Sequence, residues 1–228
     1  MIRFVTGTDT GVGKTVAAAA LCRMEREAGR TVLYCKPVQT GLAPGEPGDA
    51  AFVAAAAGVA VVECLRFPDP LAPAVAAERV GETIDVDGLL ADIEKAGDGF
   101  DRLVVEGAGG LLVPVGGDVT MADLADRLGA GLVVVTRPSL GTLNHTALTL
   151  EAARSRALPV DGLVISDWPA EPGVTEETNL DRLSAMAPVL GLLPAYPGLD
   201  TTDPTTAPPE LALLTTWGRW GFGSGQGG

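Results

Sequence analysis

The run Gly7-Thr8-Asp9-Thr10-Gly11-Val12-Gly13-Lys14-Thr15 holds the residue types that bind a polyphosphate. Glycines let successive main-chain N–H groups converge on phosphate oxygens, a lysine neutralises the terminal phosphates, and the hydroxyl after it ligates Mg²⁺. Phe4-Val5-Thr6 before the run and the alanine-rich Val16-Ala17-Ala18-Ala19-Ala20 after it supply the strand and the helix whose positive end completes such a cradle. The usual spacing would place a glycine at position 8, where this chain has Thr8, with Gly7 one residue earlier, so the match is to a variant loop. The competing reading, a glycine-rich turn that only caps a helix, does not account for strand, loop, Lys-Thr and helix in that order.

A magnesium–nucleotide site also needs acidic groups, because Mg²⁺ takes octahedral oxygen coordination. Glu106 ends the apolar Leu103-Val104-Val105 and precedes Gly107-Ala108-Gly109-Gly110. That is the carboxyl end of a strand, where ligands bind in open α/β sheets. Asp49 follows the turn Pro44-Gly45-Glu46-Pro47-Gly48 at a helix start, as a metal ligand or as a helix cap alone. Lys36-Pro37-Val38-Gln39-Thr40-Gly41 follows the second strand. Lys36 taken alone would pass for a surface lysine; with Lys14 it makes a two-lysine clamp suited to phosphoryl transfer onto an acceptor.

These residues need a scaffold that presents several strand ends together. Strands are expected near Ile2–Thr6, Thr31–Cys35, Arg102–Glu106, Leu132–Thr136, Gly162–Ser166 and Pro188–Leu193. Helices are expected at Lys14–Ala28, Asp49–Ala57, Val86–Lys95, Met121–Leu128, Leu143–Ser155 and Thr175–Met186. Runs such as Leu132-Val133-Val134-Val135 do not alternate in polarity, the mark of parallel strands covered on both faces. The expected fold is therefore a P-loop NTPase-like α/β domain, a doubly wound and mostly parallel sheet with helices on both faces, spanning residues 1–214. Pro194 to Pro209 reads as a surface loop, residues 215–228 as a largely flexible tail rich in Trp and Gly, and Trp217 and Trp220 as packing residues.

Composition narrows the function classes. Sixteen Lys and Arg against 29 Asp and Glu give a net charge of −13, which repels nucleic acid and anionic membrane, and there is no basic patch to override it. Three cysteines without a CxxC pair and a single histidine, His145, offer neither a disulfide framework nor a zinc site, and no apolar stretch is long enough to span a bilayer. The expectation is a cytoplasmic, soluble enzyme.

The motifs resemble the dethiobiotin synthetase family from Val5 to about Pro194. The resemblance is carried by Gly7-Thr8-Asp9-Thr10 with Gly13-Lys14-Thr15, by Lys36-Pro37-Val38 with Thr40-Gly41, by Val105-Glu106-Gly107-Ala108-Gly109-Gly110, and by Leu140-Gly141 with Asn144-His145. It implies a homodimer that joins 7,8-diaminononanoate, CO₂ and ATP into dethiobiotin, ADP and phosphate, through a carbamate and its mixed anhydride with phosphate. By that resemblance Thr10, Gly11, Val12, Gly13, Lys14, Thr15 and Val16 hold the triphosphate, with Gly107, Ala108 and Gly109 beside it. Thr15, Asp49 and Glu106 hold Mg²⁺, Lys36 is catalytic beside Lys14, and Thr40 meets the reacting end of the substrate. Ser166, Asp167, Pro194, Ala195 and Tyr196 lie near the base. Gly141, Thr142, Leu143 and Asn144 open a helix that binds the substrate carboxylate from the neighbouring subunit; without the resemblance Asn144 would read as a helix cap and His145 as structural.

The chain departs from the family pattern at Gly11, where relatives often carry an acid, and at Ser166, where they often carry an asparagine that reads adenine. A hydroxyl cannot offer the donor and acceptor of an amide in one plane, so other nucleoside triphosphates are expected to serve beside ATP. Two rivals fit less well. A partitioning ATPase of the same superfamily needs a lysine at position 9, where this chain has Asp9, and an amidotransferase-like ligase usually carries an added glutaminase domain, for which 228 residues leave no space.

Overall fold

The computed structural model describes residues 1–211; Trp217, Trp220 and the tail 215–228 lie outside the described residues. The first half of the chain forms β1 (Ile2–Gly7), α1 (Lys14–Glu27), β2 (Val32–Thr40), α2 (Asp49–Ala57), β3 (Ala60–Phe67), α3 (Pro73–Arg79), α4 (Val86–Gly97) and β4 (Arg102–Gly110). There follow β5 (Pro114–Gly116), β6 (Val119–Thr120), α5 (Met121–Arg127), β7 (Gly131–Thr136), α6 (Thr142–Ser155), β8 (Val160–Trp168), α7 (Val174–Met186), β9 (Val189–Pro194) and a 3-10 turn at Pro204–Thr206. Seven strands make one parallel sheet in the order β3-β2-β4-β1-β7-β8-β9. β1 lies in the middle, so the loop after it opens where the chain turns from one half of the sheet to the other.

Side chains alternate between two apolar layers. Phe4, Leu33, Leu103, Val105, Leu132, Val134 and Ile165 face α3 through α7, while Val5, Tyr34, Val104, Val133, Val135 and Val164 face α1 and α2. The unbroken apolar runs of β4 and β7 follow from this cover on both faces. Ala17, Ala18, Ala19 and Ala20 are wholly buried, so α1 lies close on the sheet and holds the loop before it against the strand ends.

Every expected strand and helix is present, with small shifts at the ends. Four elements, β3, α3, β5 and β6, went unread. β3 is an edge strand whose Glu63 and Arg66 break the apolar run, and α3 is hidden behind the proline-rich segment 68–73. The others are the short antiparallel strands β5 and β6, joined by a turn through Gly117 and Asp118. β2 also extends to Thr40, so Lys36 lies inside a strand and not after it. Its ladder with β4 stops at Cys35, which leaves that side open and lets Pro37, lacking an N–H, sit in the strand. β4 likewise continues to Gly110, with an irregularity after the pair Val5↔Glu106, so Glu106 is a mid-strand residue. Cys22, Cys35 and Cys64 are all free thiols, and among the described residues no helix is long and apolar enough to cross a membrane.

At the far end of the sheet from the loop, Glu25 of α1 is 6% exposed and gathers three arginines. Arg3 reaches it at 2.5 Å, Arg102 at 3.1 Å, and Arg30 also bonds its carboxylate. Burial works to raise the Glu25 pKa, and the hydrogen bond from Arg30 with the Arg3 charge outweighs it, so the carboxyl is held below its ordinary value. A depressed folded-state pKa gives stability that is complete above the unfolded carboxyl's pKa of about 4.3 and is lost as pH falls through the folded value. Glu25→Gln is expected to lower unfolding free energy by about 3 kcal/mol in denaturant titrations at neutral pH, with less further loss than wild type on acidification.

Candidate active site

The carboxyl ends of β1, β2 and β4 open into a cleft of about 620 Å³ lined by Thr10, Gly11, Gly13, Lys14, Thr15, Val16, Lys36, Val38, Gln39, Thr40, Asp49, Glu106, Ala108, Gly109, Asp167, Leu199, Asp200 and Thr201. Its floor is the loop between β1 and α1. Gly13 takes a left-handed conformation, φ 87°, directly before the helix, a position that glycine occupies without strain. α1 has no side-chain cap at this end, so its first N–H groups are available to an anion.

Above the loop four polar side chains meet. The Thr15 hydroxyl lies 3.1 Å from Asp49 Oδ1 and 3.0 Å from Glu106 Oε1. Lys36 Nζ lies 2.6 Å from Asp49 Oδ2 and 2.8 Å from Glu106 Oε1. From below, the fully buried Tyr34 donates its hydroxyl to Glu106 Oε2 at 2.8 Å. Lys14 Nζ turns back to the Asp9 carbonyl at 3.0 Å.

Electrostatics separates the two lysines. Burial depresses the Lys14 pKa to about 8, against the opposing pull of Glu106. Burial also works to lower Lys36, but Glu106 and Asp49 outweigh it and raise its pKa, so Lys36 is held as a cation. Burial pushes Glu106 above the ordinary carboxylate value despite Lys36, while the 2.8 Å contact between them is that of an ion pair. A hydroxyl and two carboxylates around one point form an all-oxygen donor set, which suits Mg²⁺ with water and phosphate completing its shell. Among the described residues no group of three or more His, Cys, Asp or Glu could hold a metal ion.

Several assignments change in the folded chain. Asp49 is the first residue of α2, whose cap is Gly48; its carboxylate is turned to Thr15 and Lys36, and the Gln39 side chain accepts from its N–H. Asp49 is thus no helix cap. Gly107 faces away from the cleft, since a Cβ there would meet Phe4 at 2.9 Å, and Val12 points into the core beneath the loop. Ser166, Asp167, Pro194 and Tyr196 line a smaller recess of about 110 Å³ with Gly13, Val16, Leu193 and Leu199, while Ala195 is exposed and ties the segment down through its N–H to Trp168 O. The Ser166 hydroxyl is turned inward, 2.6 Å from Val12 O and 3.3 Å from Thr136 O. Gly141, Thr142, Leu143 and Asn144 do not line this subunit's cleft. The Thr142 hydroxyl bonds Thr136, Gly141 is the helix cap in place of Asn144, and Asn144 and His145 are exposed.

The sequence reading missed Tyr34, Gln39, Asp200 and Thr201. Tyr34 sits in an apolar strand run and looks like core, and residues 199–201 belong to the proline-rich loop that proves to wall the cleft.

A family described as an AAA domain matches residues 3–203. An ATP-dependent dethiobiotin synthetase BioD of Mycobacterium sp. (strain JLS) is 52% identical over 200 residues, covering 85% of this chain and 87% of the relative. One of the same name from Rhodococcus jostii (strain RHA1) is 50% identical over 221 residues, 95% and 96% of the two chains. Among solved structures, the septum site-determining protein MinD of Pyrococcus horikoshii OT3, complexed with Mg-ADP, superposes with a TM-score of 0.59 at 17% identity, over 92% of this chain and 88% of that one. A plasmid partition protein of Borrelia burgdorferi B31 bound to AMPPNP gives 0.57 at 12% identity, over 88% and 89%. At such identities these two share the P-loop NTPase fold and nothing finer. The chain itself, by its extended identity to the synthetases, belongs to the ATP-dependent dethiobiotin synthetase family.

Proposed function

We propose that this chain catalyses the reaction for which its relatives are named, the ATP-dependent formation of dethiobiotin, from 7,8-diaminononanoate and CO₂, in the cytoplasm. The observation that carries the reading is the meeting of Lys36 with Asp49, Glu106 and Thr15 beside the phosphate loop. One amine of the substrate adds to CO₂ and loses a proton to become a carbamate. A carbamate oxygen attacks the γ-phosphorus and ADP leaves; the second amine then attacks the carbamoyl carbon, the ureido ring closes, and phosphate leaves with the proton that this amine gives up. Negative charge gathers on carbamate and phosphoryl oxygens throughout. Lys36 is held cationic, so its part is to stabilise that charge and not to abstract a proton. Lys14 exchanges the Asp9 carbonyl for the terminal phosphate, and Thr40, at the end of β2, lines the acceptor side. Thr15, Asp49 and Glu106 would hold Mg²⁺, which neutralises β- and γ-phosphate oxygens when bound.

The substrate carboxylate belongs to the start of α6 in a second subunit. Two observations support a homodimer: residues 141–144 lie off their own cleft, and Leu140, 94% exposed, and Leu148, 57% exposed, leave apolar surface uncovered around that helix start. Base selectivity is low, because Ser166 stands where relatives often carry an asparagine that reads adenine, and its hydroxyl is directed to the loop.

The defining measurement is phosphate release with MgATP and bicarbonate, with and without the diamine, alongside dethiobiotin by mass spectrometry. Release that depends on the diamine and matches product one for one is expected; hydrolysis indifferent to the diamine would overturn the reaction. Lys36→Ala should lower turnover by about 10²–10³ while ATP affinity stays within about tenfold, and unchanged turnover would remove Lys36 from the mechanism. Mixing inactive Lys36→Ala with inactive Asn144→Ala should restore part of the activity, since a hybrid dimer keeps one intact site; a mixture as inactive as its parts would place the whole site in one subunit. CTP and GTP should support turnover within about a hundredfold of ATP, the scale a single polar contact could otherwise discriminate.

A further inference from the structure

We propose that Ser166 and Arg137 are positioning residues, which fix two consecutive peptides of the phosphate loop so that their N–H groups face the triphosphate. The inference rests on the nucleotide-binding reading above and goes beyond it, since neither side chain needs to touch the ligand. Ser166, 2% exposed near the end of β8, bonds the carbonyl of Val12 at 2.6 Å. Arg137, just past β7, bonds the carbonyl of Gly11 and lies 3.4 Å from the Asp167 carboxylate. No peptide bond among the described residues is cis, and in a planar trans peptide the C=O and the N–H point to opposite sides. Holding the Gly11 and Val12 carbonyls toward β7 and β8 therefore turns the N–H groups of Val12 and Gly13 the other way. Among the described residues those two N–H groups have no acceptor, and Gly13 lines the cleft.

Close packing makes the support specific. A Cβ on Gly13 would come within 3.0 Å of Ser166 Cβ and 3.3 Å of its hydroxyl, so loop and strand already touch at this point. At Gly11, whose φ of 70° favours glycine, the guanidinium of Arg137 lies in ordinary contact, 3.6 Å from where a Cβ would be. Thr8 closes the same seam from the other end of the loop, its N–H donating to Val135 O at 3.0 Å. A loop held in this way meets its ligand with the N–H groups already aimed, which lowers the ordering cost of binding.

The test measures dissociation constants of the magnesium complexes of tripolyphosphate, ATP and CTP by calorimetry. Tripolyphosphate carries the phosphates without a base. Ser166→Ala should weaken all three by one common factor, about five- to tenfold for a lost hydrogen bond. In dethiobiotin formation the same variant should raise KM for ATP by that factor, with kcat within about threefold of wild type. Unchanged tripolyphosphate affinity, or a loss confined to ATP, would overturn the assignment and make Ser166 idle or a reader of the base. Arg137→Ala, at an exposed position, should weaken tripolyphosphate by about two- to fivefold, and the loss should persist in about 0.5 M salt, where the field of a surface charge is screened. A loss that vanishes in salt would mean that Arg137 only attracts the anion. Wild-type protein that binds all three ligands and forms no dethiobiotin would overturn the proposed reaction and leave the loop assignment standing.

Discussion

Lys36 and Glu106 are buried and Asp49 is partly so, and the rest of the site is organised around three charges held with little access to water. Removing an ion from water costs several kcal/mol, and each of these three is tolerated because the others offset its charge and hydroxyls meet the remaining oxygens. Tyr34 occupies one oxygen of Glu106 from below, and Thr15 lies against the other. Asp49 is drawn out of the capping position expected for an acid at a helix start and turned to the lysine. A cluster of this kind has few alternative arrangements, so the donor oxygens and the ammonium are in place before nucleotide or substrate arrives.

The sheet makes the cluster possible. β1, β2 and β4 are neighbours, and their parallel register sets Val5 beside Glu106 and Tyr34 beside Val104. All three strands therefore deliver their carboxyl ends to one edge, where the glycine loop supplies N–H groups and α1 its positive terminus. The other half of the sheet, through β7 and β8, holds the loop from the opposite side by way of Thr136, Arg137 and Ser166. The nucleotide cradle is thus built between the two halves, and neither half alone would fix its shape.

Much of this was legible in the chain. The phosphate loop, Lys36 and Glu106 were identified from residue type and from their place after apolar runs, Asp49 from its place after a Pro-Gly turn at a helix start, and the cleft gathers all four. What was misread has three local causes. β3 and α3 escaped because an edge strand need not be apolar throughout, and because proline before α3 resembles a loop that never ends. Glu106 and Lys36 were set at strand ends because the glycines and the proline after them look like terminators; a sheet bordered on one side only carries such residues without breaking.

The sequence by itself determined the parts whose chemistry is local: a cradle made of consecutive main-chain N–H groups, helices that begin at its glycines, and strands apolar enough to be covered on both faces. The tertiary structure alone decided which side chains meet. Tyr34 reaches Glu106 across 72 positions and Ser166 reaches Val12 across 154, contacts that no periodicity encodes. They follow from strand order and register, which are set by how the whole core packs, so the hydroxyl of Ser166, at a position the resemblance puts near a nucleobase, turns to a carbonyl of the glycine loop.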